Sequence, residues 1–222
     1  MSSPLQSRFA PRVADASCAK PGEDDRSTPD GQDVDAVVAA ARACRLCADQ
    51  LPLGPRPVLQ ASATSRLLII GQAPGTKAHA SGLPWDDQSG QRLRDWIGLS
   101  EARFYDPAAV AIVPAGLCYP GSVRGGGDNP PVPACAPLWH PRILPLLRNV
   151  RLTLLVGLHA QKLFLSGSMP LTERVRLHPA DSPLLPLPHP SWRVVGWMRK
   201  NPWFEAETLP QLRARVEQAL GG

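Results

Sequence analysis

Four short apolar runs constrain this chain more than any other feature: RLLIIG (66–71), AVAIVPAG (109–116), RLTLLVG (151–157) and the proline-edged SPLLPLP (182–188). A strand with one wet face alternates apolar and polar residues, whereas a strand covered on both faces reads as continuous apolar sequence. Helical spacing fills the intervals, in DVDAVVAAARACRLCADQ, QSGQRLRDWIG, LWHPRILPLLRNV, LHAQKLFL and the closing amphipathic ETLPQLRARVEQAL. Such alternation predicts an α/β fold: a four-stranded parallel sheet between helices, with its ligand site at the carboxyl ends of the strands.

The chain has 222 residues, enough for one such domain, read here as 34–222. Residues 1–33 are rich in Ser, Pro, Asp and Gly and cannot offset their ordering entropy by burial, so a disordered leader containing Cys18 is predicted. No apolar run reaches the eighteen or so residues of a membrane span, and the amino terminus has no basic-then-apolar signal pattern. A cytoplasmic monomer is the expectation. Lys and Arg total 24 against 19 Asp and Glu, and the pI is near 9.2, a balance that suits a polyanionic partner.

Three constellations carry chemistry. Cys44 and Cys47 form CRLC, and Cys118 and Cys135 flank the long Pro/Gly loop YPGSVRGGGDNPPVPA (119–134). A close pair with two distant partners can supply four thiolates to zinc or to an iron-sulfur cluster. The second is GQAPGTKAHASGLPWDDQSG, directly after the first strand; its glycines let backbone amides approach an anion or a polar base edge, or simply make a tight turn. Asp86 and Asp87 there are placed to cap the next helix. The third is PLPHPSWRVVGWMRKNPWF (186–204), where Pro188 and Pro190 restrict the backbone around His189. Arg193, Arg199 and Lys200 interleave with Trp192, Trp197 and Trp203, as in a surface that grips phosphates and packs on bases, or in a solvated loop with core tryptophans.

GQAPG after the first strand, CxxC with C-x16-C, and HPSW after the last together resemble the uracil-DNA glycosylase superfamily, most of all its iron-sulfur branch, the family 4 type. The resemblance covers residues 40–215 and implies hydrolysis of the bond joining a damaged base to deoxyribose in single- or double-stranded DNA. On it, Gly71, Gln72 and Ala73 belong to the first motif, and Trp85 (GLPW where relatives have GxPF) stacks on the flipped base. His189 stabilises the departing base anion, aided by the turn amides near Gln72 and Ala73. Ser191, Trp192, Arg193, Arg199 and Lys200 grip DNA, and Cys44, Cys47, Cys118 and Cys135 hold a 4Fe-4S cluster.

Two positions depart from that pattern. Ala73 stands where the classical type has the water-activating Asp, as it does in the family 4 type, so Asp87, with Asp86 second, is the candidate carboxylate. Pro114 stands where relatives have the base-reading Asn, which leaves Gln72 as a reader able both to donate and to accept. Two other readings of the same fold are a non-catalytic damaged-base binding module and a protein that traps the abasic sugar covalently through His79.

Overall fold

The computed structural model describes residues 33–123, 125–179 and 181–221. The leader through residue 32 and Cys18 lie outside them. Strands β1 (Leu67–Ile70), β2 (Val110–Ile112), β3 (Leu152–Val156) and β4 (Leu184–Leu187) form one all-parallel sheet in the order β2-β1-β3-β4. Leu67 aligns with Val110 on one side and Leu152 on the other, and Leu154 aligns with Leu185. The α/β expectation therefore holds, with each strand inside the run that announced it.

The continuous apolar runs are explained by what covers them. Leu67, Ile69, Val110, Ile112, Leu152, Leu154 and Val156 face a layer containing α3 (Gln88–Ile97) and α9 (Leu209–Leu220). Their neighbours Leu68, Ile70, Ala111, Val113 and Leu155 face the opposite layer, with α1 (Val34–Arg42) and α5 (Cys135–Ile143). Side chains alternate across a strand, so two covered faces demand apolar residues at every position. Each of these twelve side chains is almost wholly buried.

Short helices complete the layers: α2 (Thr76–Ser81), α4 (Glu101–Phe104), α6 (Leu158–Phe164), α7 (Leu171–Arg176) and α8 (Val194–Lys200). The last three differ in how visible they are: α6 was anticipated from LHAQKLFL, whereas α7 and α8 were not. In α8 the sequence VVGWMRK carries two β-branched residues and a glycine, a poor intrinsic helix former. Burial of Val194, the packing of Trp197 against the core and its indole N–H bond to Thr172 Oγ1 at 2.8 Å hold it there. A segment anticipated as loop is thus helical through tertiary packing. Trp203 also packs on the core, edge-on to Trp197 at 5.7 Å. No helix among the described residues is long and apolar enough to cross a membrane.

Candidate active site at the strand ends

At the end of β1 the turn Gly71–Gly75 runs into α2, and the chain returns through Trp85 to the start of α3. The Trp85 ring lies directly over Gly71: a Cβ there would sit 2.7 Å from Trp85 Cζ2, so a larger residue would displace the indole. Trp85 is the one described non-glycine residue at positive φ (59°), a conformation that costs on the order of 1–3 kcal/mol and persists only when neighbours enforce it. The enforcers run back into the core. Buried Arg94 donates to the Tyr105 hydroxyl (3.3 Å), and that hydroxyl donates to the Trp85 carbonyl (3.4 Å).

His189 follows β4, bracketed by Pro188 and Pro190 as the sequence shows. Arg92, on α3, fixes this turn by donating to the Pro190 carbonyl at 2.6 Å. On its other side the imidazole packs against Gly157, where φ is +84° and a Cβ would come within 3.3 Å of His189 Cβ. The Trp85 and His189 rings are 5.5 Å apart, tilted by 34°. Desolvation pushes the His189 pKa below 6.5, against the pull of Asp87, with His159 adding to the depression. The imidazole is therefore neutral at pH 7 and can donate one hydrogen bond without carrying charge.

The third wall comes from the loop between Cys118 and Cys135. Val123, Gly126, Gly127 and Asp128 join Gly71, Gln72, Ala73, Trp85, Asp87, His189, Ser191, Trp192 and Arg193 around a cleft of about 470 Å³. Gln72 Nε2 donates to the Asn129 carbonyl at 2.9 Å, and Arg193 Nη2 to the Gly126 carbonyl at 3.2 Å. Both side chains, expected from the sequence to contact base or DNA, line the cleft and also brace this loop. Asp87 does two things at once: one carboxylate oxygen caps α3 by accepting from Gly90 N–H at 2.7 Å, and the residue also lines the cleft. Pro114 lines the cleft as well, so the position where a reading Asn was expected is an apolar wall.

Not every anticipated residue converges here. Arg199 and Lys200 sit exposed in the last turn of α8 and Asp86 is exposed; none of the three is among the residues that line the cleft. His79, on α2, also stays out of that lining, its ring 6.1 Å from that of Tyr119. The residues that sequence reasoning missed are Asp128, Ser89 and Arg92. Asp128 had one signal, being the sole acidic residue of the 119–134 loop.

Cys44 and Cys47 follow the end of α1, Cys118 lies beyond β2, and Cys135 opens α5; all four line one small cavity. Burial first, then the other cysteines, pushes the Cys118 and Cys135 thiols up to about 11. Four thiolates could share that space only with a cation among them. Among the described residues no three His, Cys, Asp or Glu side chains are grouped to hold a single metal ion. Four cysteines lining one cavity are a donor set that zinc or an iron-sulfur cluster could use. Leu117 N–H already donates to Cys135 Sγ at 3.3 Å.

The imidazole environment has a measurable consequence. Followed by NMR, His189 is expected to titrate below 6.5, and lower still in Asp87→Asn, because the aspartate favours the imidazolium. His140, His159 and His178 are depressed in the same way, so the unfolded chain takes up protons that the folded chain resists. Stability should fall as pH drops below about 6.5 through the folded values. A His189 midpoint above 6.5 would contradict the desolvated site.

The glycine-rich turn and the HPS turn thus face one another across a cleft at the carboxyl ends of a parallel sheet, with an aromatic floor and a neutral histidine. The family model for the uracil DNA glycosylase superfamily matches residues 59–213, which include β1 to β4 and the residues named around the cleft. The chain belongs to the uracil DNA glycosylase superfamily.

Proposed function

We propose that this protein is a monofunctional DNA glycosylase of the iron-sulfur branch, hydrolysing the N-glycosidic bond of uracil or another deaminated base in DNA. The observation that carries the reading is the meeting of Gly71–Gly75, Trp85 and His189 in one cleft. A base within a duplex is inaccessible, so it must be turned out into such a cleft at a cost of a few kcal/mol of unstacking. Trp85 offers a rigid aromatic face. Trp192, 73% exposed on the rim with the Arg193 guanidinium 5.1 Å above its ring, is the side chain placed to fill the vacated stack, beside Ser191.

As the C1′–N bond breaks, its electron pair leaves on the base and the sugar gains oxocarbenium character. A neutral His189 donating to the base oxygen, with the turn amides near Gln72 and Ala73, would meet that charge without reorganisation. Asp87, whose second oxygen remains beyond its helix cap, is the candidate to orient water. Pro114 argues for the runner-up, a binding module without turnover, because it removes a polar reader. Covalent trapping through His79 has less support, as that residue does not line the cleft.

Single-turnover release of base from uracil- or hypoxanthine-containing duplex separates these readings. His189→Ala should slow release about a hundred- to a thousand-fold with little change in DNA affinity. Tight binding of the lesion by wild type with no product would select the binding module, and a denaturation-resistant adduct lost on His79→Ala would select trapping.

Cys44, Cys47, Cys118 and Cys135 would hold the 4Fe-4S cluster. When bound, the cluster supplies a cross-link that closes the 119–134 loop, and the hydrolysis makes no use of it. Anaerobically prepared protein is expected to contain iron and sulfide and to absorb in the visible. Cys135→Ser should lose the iron and speed hydrogen exchange in residues 119–134. A colourless preparation holding zinc alone would contradict this assignment.

A further inference from the structure

We propose that Asp128 is a second catalytic carboxylate of the cleft, taking the proton of the attacking water while Asp87 faces it across the glycine-rich turn. This rests on the glycosylase reading above and adds a residue that neither the motifs nor the family resemblance supplied.

Asp128 shares the cleft lining with Asp87 and His189. One oxygen of each carboxylate points to the same patch of the turn: Asp128 Oδ2 lies 3.5 Å and Asp87 Oδ2 4.0 Å from the position a Cβ on Gly75 would take. The two differ in what else they do. Asp87 spends its other oxygen on Gly90 N–H at the start of α3. Asp128 sits on the loop, exposed along the cleft that it lines, with Ser122 as a side-chain partner. Desolvation above all, and Asp87 in addition, raise its pKa against the pull of the Ser122 hydrogen bond, so its anion accepts a proton more readily than an ordinary aspartate would. Two carboxylates in one site with unequal environments can divide roles, one holding charge while the other moves a proton.

The loop is held firmly enough to place a reacting group. Val123 N–H bonds the Gly127 carbonyl (2.9 Å), and Asn129 N–H bonds the Gly121 carbonyl (2.8 Å). From outside, Gln72 holds Asn129 and Arg193 holds Gly126. The second carboxylate therefore arrives from a different chain segment but is braced against the same turn that carries the rest of the site.

The step balances as follows. The C1′–N bond breaks and its electron pair departs on the base; the water oxygen bonds C1′ and one water proton passes to Asp128. That proton returns through solvent to the base nitrogen, leaving the carboxylate ionised, the free base, and a hydroxyl at C1′.

A merely structural Asp128 would pair with Ser122 across the small bridge that joins residues 122 and 128, and Asp128→Asn preserves the shape needed for that. The variant should release base at least about a hundred-fold more slowly while binding the lesion duplex as well as or better than wild type. Wild-type rate in Asp128→Asn would overturn the proposal. A second measurement needs no turnover: affinity for duplex carrying a cationic pyrrolidine in place of the sugar, against neutral tetrahydrofuran. Wild type should prefer the cation at least about ten-fold, Asp128→Asn should lose most of that preference, and Asp86→Asn, altered outside the cleft, should keep it. No preference in wild type, or an undiminished one in Asp128→Asn, would also overturn it. If wild type releases no base from any lesion, the glycosylase reading fails, and the pyrrolidine comparison still decides whether Asp128 faces the sugar.

Discussion

Two rings resting on bare backbone set the geometry on which this molecule's chemistry depends. Trp85 lies on Gly71 at the end of β1, and His189 lies against Gly157 at the end of β3. A Cβ on Gly71 would displace the indole, and at Gly157 the positive φ and the closeness of His189 disfavour any side chain. Because β1 and β3 are neighbours in the sheet and β4 flanks β3, the segments that follow β1, β3 and β4 converge on one face. The sheet does little except hold those ends, but it does so with a core apolar on both sides, which makes the placement stiff.

The loop from Cys118 to Cys135 turns this floor into a cleft. It has little core of its own and is held at both ends by the cysteine cavity and along its length by Gln72 and Arg193. The cysteine cavity and the cleft are thus joined through one segment, although no cysteine is among the residues that line the cleft. The cationic Arg193 is shared between this bracing and the Trp192 ring, so loop position and the exposed rim are coupled in one side chain.

Much of this was legible before any coordinates. A run such as RLLIIG has only one comfortable home, between two covering layers, and the strand bounds moved inward by only a few residues. Trp85 and His189 were legible as well, one beside a glycine-rich turn and the other between prolines. What escaped reading depends on contacts far apart in sequence. Gln72 meets Asn129 across 57 positions and Arg92 meets Pro190 across 98, and no local pattern encodes either. Asp128 looked like an ordinary loop acid until the loop folded over Gly75. Arg199 and Lys200 belong to the same string of cations as Arg193, but only Arg193 lines the cleft, because the segment is helical and not one continuous loop.

The central claim is that this cleft removes a base from DNA by hydrolysis. Duplexes and single strands carrying one uracil, hypoxanthine or xanthine, incubated with cluster-containing protein and analysed by mass spectrometry, test it most directly. The account expects free base and an abasic strand in equal amounts from at least one lesion, with the protein mass unchanged. Intact strands from every lesion, or a strand found only as a protein adduct, would contradict it.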